Sequence, residues 1–221
     1  MKQKMLLILL IITIGALLTG CRKVNNNKND WIIDVTDNKQ SLNKEEQKIF
    51  ERAKENYSDE LDYVALLAKQ VVAGTNYMFL CKDENSYKIV IIYNNLENIS
   101  QITKVTAFDP TKYVNENYEL NSGSLAGGWF TEIPEESMNL PKDIKTHFDK
   151  VTETFTGGTY YPIAVLAHQE KNGTNYAVLC YGEGSFKESD AGIYMLTLYV
   201  DETEKPEIVS IAAIDLKEFN K

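Results

Sequence analysis

Residues 66–81 read LLAKQVVAGTNYMFLC, and residues 165–180 read VLAHQEKNGTNYAVLC. Leu-Ala, Gln, Gly-Thr-Asn-Tyr and Leu-Cys recur at a constant offset of 99 residues. Trp31 matches Trp129 at an offset of 98, and downstream Tyr93 matches Tyr199 and Asp109 matches Asp215 at 106. The added residues of the second copy fall at 182–190, Gly-Glu-Gly-Ser-Phe-Lys-Glu-Ser-Asp, which reads as a longer loop. Self-similarity of this kind implies one structural unit used twice. The units span 31–109 and 125–217, joined by a polar linker at 110–124.

Each copy has the same expected layout, a helix followed by four strands. The first helix spans 43–57 and opens at Asn43 with Glu46 three residues on, the pattern of a capping box. Ile49, Phe50, Ala53 and Tyr57 share one face at helical spacing. In the second copy Pro141 stands at the helix start, and Ile144, Phe148, Val151 and Phe155 repeat at four, three and four. Strands are expected near 62–72, 75–82, 86–94 and 99–109, then near 160–170, 174–181, 191–200 and 207–215. Tyr77, Phe79 and Cys81 alternate as on a half-buried strand. Thirteen tyrosines and many Ile and Val residues favour sheet. Gly74 and Asn172-Gly173 mark tight hairpin turns, since both residue types tolerate positive φ. The expected fold class is α+β: two tandem units, each one helix packed across a four-stranded antiparallel sheet.

The first thirty residues concern destination rather than fold. Lys2 and Lys4 precede an apolar run from Met5 to Leu18, the plan of a secretory signal and shorter than the roughly 20 residues of a membrane span. Leu18-Thr19-Gly20-Cys21 resembles the bacterial lipobox. That resemblance implies removal of 1–20 as a lipoprotein signal peptide and lipidation of Cys21, anchoring the chain in a lipid bilayer at an extracytoplasmic cell-membrane surface. Two or three acyl chains give stable anchoring where one does not. Residues 22–30 are polar, with too little apolar surface to fold, and read as a tether. Loss of 1–20 takes the formal charge from −9 to about −11. Such acidity argues against nucleic-acid partners and a polybasic membrane footprint.

The segment Gln70-Val71-Val72-Ala73-Gly74-Thr75-Asn76-Tyr77 resembles the first inhibitory hairpin of the cystatin and stefin family, whose hallmark is Gln-x-Val-x-Gly. Leu125-Ala126-Gly127-Gly128-Trp129 resembles the glycine-bearing N-terminal trunk of that family. The resemblance implies a helix wrapped by an antiparallel sheet, and inhibition of a papain-like cysteine protease by a wedge of trunk and hairpins, without catalysis. Gln70, Val71, Val72, Ala73 and Gly74 would form the protease-binding hairpin, with Trp31, Leu96, Gly127, Gly128 and Trp129 as accessory contacts. The pattern departs from the family in three places. Copy one has Asp30-Trp31-Ile32-Ile33 where a glycine pair belongs. Copy two carries a charged Gln169-Glu170-Lys171-Asn172-Gly173. Neither copy has a Pro-Trp pair in its last hairpin.

Nothing else in the chain points to chemistry. His147 and His168 have no Cys, Asp or Glu at metal-ligand spacing, so no metal, no cofactor and no enzymatic activity are expected. Cys81 and Cys180 could pair as a disulfide, but as equivalent mid-strand positions of two units they read as buried free thiols. Gly182-Glu183-Gly184 precedes no helix and so is no phosphate cradle. Glu132, Glu135 and Glu136 read as solvated surface. The expected function is that of a membrane-anchored surface lipoprotein that binds proteins. Its sharpest form is cysteine-protease inhibition; its competitor is adhesion or scaffolding by another surface interaction.

Overall fold

The computed structural model describes residues 30–33, 42–114, 128–132, 140–184 and 191–220. The signal segment, Cys21, the tether up to Asn29, Gly127 and the loop at 185–190 lie outside the described residues. Helix α1 (Lys44–Lys54) is followed by strands β1 (Asp62–Val72), β2 (Gly74–Lys82), β3 (Tyr87–Asn94) and β4 (Ser100–Phe108) and a 3₁₀ turn at Pro110–Tyr113. Strand β5 (Phe130–Thr131), helix α2 (Lys142–Glu153), strands β6 (Gly158–Glu170), β7 (Gly173–Gly184), β8 (Gly192–Asp201) and β9 (Pro206–Ile214), and a 3₁₀ turn at Leu216–Asn220 complete the order. β1 to β4 form one antiparallel meander and β5 to β9 another.

Local chemistry accounts for the helix starts. The Asn43 side chain accepts from the amides of Glu45 and Glu46, while Glu46 Oε2 accepts from the Asn43 amide at 2.9 Å. The other Glu46 oxygen meets Lys69 Nζ at 2.7 Å, tying the helix start to β1. Ile49, Phe50 and Ala53 are buried against Phe79, Cys81, Val90 and Ile92. α2 begins at Pro141, which makes no side-chain cap. It buries Ile144 and Phe148 against Val178, Cys180, Leu196 and Leu198.

The expected α+β arrangement of two tandem helix-on-sheet units is overturned. The protein is mostly β, with two helices of 11 and 12 residues beside nine strands among the described residues. The second sheet has five strands, not four. The two sheets also share one core, which no pair of separate units would do. Val64, Leu67, Met78, Leu80, Ile89 and Ile91 from the first sheet and Ile163, Leu166, Leu179, Ile193 and Met195 from the second belong to a single buried cluster. Tyr181 of β7 donates its hydroxyl to the Leu66 carbonyl of β1, and Tyr87 of β3 donates to the Glu132 carbonyl beside β5.

The physical reason lies in the strands themselves. Tyr77, Phe79 and Cys81 do share a face, packed toward α1, but Met78 and Leu80 on the opposite face are also fully buried. These strands are covered on both sides, by a helix outside and by the other sheet inside. Bulges at equivalent places serve this arrangement: register shifts fall between Tyr63/Ala65 and Leu66/Ala68 in β1, and between Pro162/Ala164 and Val165/Ala167 in β6. A bulge sets two successive residues on one side. Here it places Val64 with Ala65 and Leu67 with Ala68 in the shared core.

Candidate functional site

The β1–β2 hairpin is built by the residues that repeat between the copies. Asn76 Nδ2 donates to Gln70 Oε1 at 2.7 Å across the register pair Gln70 and Asn76. In the second copy Asn175 donates to Gln169 at 3.1 Å, with both side chains buried. Tyr93 donates its hydroxyl to the Ala73 carbonyl, and Tyr199 does the same to Asn172. Gly74 has φ +128°, and a Cβ there would stand 2.6 Å from the Asn94 carbonyl oxygen; Gly173 has φ +122° and the corresponding distance to the Val200 carbonyl is 2.4 Å. Gln70 and Gly74 are therefore committed to holding the turn.

The neighbouring β3–β4 turn is likewise shared. Asn95 Oδ1 accepts from the amides of Glu97 and Ile99 at 2.9 Å each, and Asn98 takes φ 62°. In copy two Asp201 Oδ1 accepts from Thr203 and Lys205, and Glu204 takes φ 60°. Register sets the two turns side by side, since Thr75 faces Asn94 and Asn94 faces Ser100.

What differs is what these twin turns present. Val71 is 61 % exposed, Val72 41 %, Leu96 83 % and Ile99 60 %. At the offsets of the repeat, their counterparts in copy two are Glu170, Lys171, Glu202 and Lys205, all exposed. The same backbone thus carries an apolar edge in one copy and a charged edge in the other. Turn geometry does not demand the apolar residues. Exposed apolar clusters mark interaction surfaces.

The accessory positions divide. Leu96 joins the hairpin at this edge. Ile99, which the sequence did not single out, joins it too. Ile32 bridges to Lys69 of β1 and is 41 % exposed. Trp31 packs against the shared core and its indole donates to Asn220 Oδ1 at 3.1 Å. Trp129 packs against the same core. Gly128 is exposed in open space.

Cys81 and Cys180 are free, and each lies wholly buried under its own helix. Burial pushes both thiols well above their ordinary value, which leaves them unreactive. His168 Nδ1 lies 2.5 Å from Glu132 Oε1, and its ring stacks on Phe130. Among the described residues no three His, Cys, Asp or Glu side chains converge as a metal site. No protein-family model matches the chain, and no curated protein matches it.

Proposed function

We propose that this chain is an exported lipoprotein, held at the membrane surface through Cys21, that binds a protein partner with the edge formed by Val71, Val72, Leu96 and Ile99. The sharpest form of this reading is a wedge that blocks the cleft of a papain-like cysteine protease. One observation carries it: Val71 and Val72 at the end of β1 and Leu96 and Ile99 in the neighbouring turn are exposed, where their structural twins are Glu and Lys. The edge is firm, because the side-chain and tyrosine bonds described above fix both turns, and a preorganised surface loses little entropy on binding.

Magnitudes bound the strength. Covering four such side chains contributes at most about 6–12 kcal/mol, and association costs roughly 4–15 kcal/mol. At the favourable ends of both ranges about 8 kcal/mol remains, so the edge alone supports micromolar binding at best. Tighter inhibition would need the Ile32 segment as well.

Titrating residues 22–221 against papain tests the protease form. Val72→Asp and Leu96→Asp alter exposed positions and should leave folding intact while weakening inhibition at least tenfold. No inhibition by the wild type at high micromolar concentration would remove the protease form. It would leave adhesion or scaffolding; Gln70 and Gly74, like their counterparts Gln169 and Gly173, hold a turn, so the motif by itself is no argument for inhibition. Anchoring is tested separately: labelled fatty acid should enter the wild type and not Cys21→Ala.

A further inference from the structure

Strand β5 is only two residues long, yet the segment around it is held on both of its sides. Phe130 pairs with His168 and Thr131 with Ala167, and the Glu132 amide donates to the Leu166 carbonyl at 2.8 Å. On the inner side Trp129 packs against the shared core. On the outer side strand alternation puts Phe130 and Glu132 together, and both reach one side chain of β6. The His168 ring stacks on Phe130 with centroids 5.5 Å apart, and its Nδ1 lies 2.5 Å from Glu132 Oε1. A single imidazole thus holds both outward side chains of this segment.

The twin position shows what is particular about it. Ile32 bridges to Lys69 as Phe130 pairs with His168. Lys69 Nζ, however, pairs with Glu46 of α1 at 2.7 Å. Counted from the helix caps Asn43 and Pro141, the α2 counterpart of Glu46 is Ile144. That place on α2 offers no acid, and the histidine meets Glu132 instead. Also facing His168 are Tyr176, opposite it on β7, and Glu170, two residues on in β6. Lys145 and Asp149 of α2 pair with each other, and Tyr87 of the first sheet reaches the Glu132 carbonyl.

We propose that His168 and Glu132 form a proton-dependent clasp, which tightens β5 on the second sheet as the pH falls through the histidine range. An imidazole nitrogen and a carboxylate oxygen this close require a proton between them. Imidazolium always supplies one at Nδ1, and with it an opposite charge that strengthens the bond. Neutral imidazole supplies one only in the tautomer protonated at Nδ1, and without the charge. Histidine makes this change between about pH 5 and 8, where carboxylates and lysines keep their charges. Both side chains are partly exposed, so the effect is local. It governs the docking of β5 and the seat of Trp129 in the shared core, while the twin bridge at Ile32 and Lys69 has no such dependence.

Amide hydrogen exchange of residues 22–221, with each rate divided by its intrinsic rate at the same pH, tests this. Protection of the Glu132 amide should fall at least threefold from pH 5.5 to pH 8.0 in the wild type. It should stay constant in His168→Gln and in Glu132→Gln, once thermal unfolding has shown that each variant folds. The Lys69 amide, which donates to the Ile32 carbonyl at 2.9 Å, should keep its protection throughout and reports any loss of stability common to the whole molecule. Constant protection at Glu132 in the wild type, an equal fall in His168→Gln, or a matching fall at Lys69 overturns the proposal. Neither a protease nor a lipid enters this measurement, so its outcome is independent of the binding reading above.

Discussion

Gly74 meets two separate demands. Its φ of +128° lies where L side chains are strained, and a Cβ would collide with the Asn94 carbonyl and the Tyr93 ring, at 2.6 and 2.8 Å. The second demand links the hairpin tip to β3, because Tyr93 also holds the Ala73 carbonyl. Gly74→Ala should therefore cost about 2–3 kcal/mol and displace Tyr93, loosening the apolar edge. Urea unfolding compared with Ala73→Gly, a change at an exposed neighbour, measures this; a loss below about 0.5 kcal/mol would mean the tip relaxes freely. The aliphatic residues beside it carry the opposite expectation. Val72→Asp should alter binding far more than stability, since the side chain faces solvent.

At the scale of elements, much was legible. Asn43 and Glu46 announced the start of α1, and the observed helix runs from Lys44 to Lys54. The strand expectations agree with β1 to β4 and β6 to β9 within a few residues, because Gly74, Asn172 and Gly173 punctuate the chain where positive φ is needed. The residues read as an inserted loop from 182 begin as strand, and β7 runs to Gly184. What alternation could not show was the cover on the second face. A pattern such as Tyr77, Phe79, Cys81 requires only one buried face. The runs Ile89-Val90-Ile91-Ile92 and Ile163-Ala164-Val165-Leu166 held the missing information, since near-continuous apolar strands are buried on both sides. Trp31 and Trp129 have a structural role that the sequence did not show. A repeated aromatic beside a hairpin reads as a contact residue, yet both rings pack against the shared core and seat the chain segments preceding α1 and α2. Ile99 escaped notice because nothing local distinguishes an apolar residue at a turn tip from one at a strand start.

For the whole molecule, the shared core decides whether the repeat is two domains or two halves. Eleven of its 23 buried residues come from the first half and twelve from the second. Val64, Leu67, Met78, Leu80, Ile89 and Ile91 would all reach solvent if the second sheet were removed. Exposing even four of them costs about 6–12 kcal/mol, as much as a domain's entire net stability of about 5–15 kcal/mol. The buried hydroxyl of Tyr181 would also leave its partner, the Leu66 carbonyl, open to solvent. Residues 22–114 expressed alone should therefore fail to give a monomer with cooperative unfolding, and should either bind a hydrophobic dye or pair with a second copy across the bared sheet. Mixing with residues 115–221 should restore a cooperative transition. Size-exclusion chromatography with thermal unfolding measures both outcomes. A monomeric half that melts cooperatively near the midpoint of the intact chain would show that the inter-sheet core contributes little, and that the repeat is two domains after all.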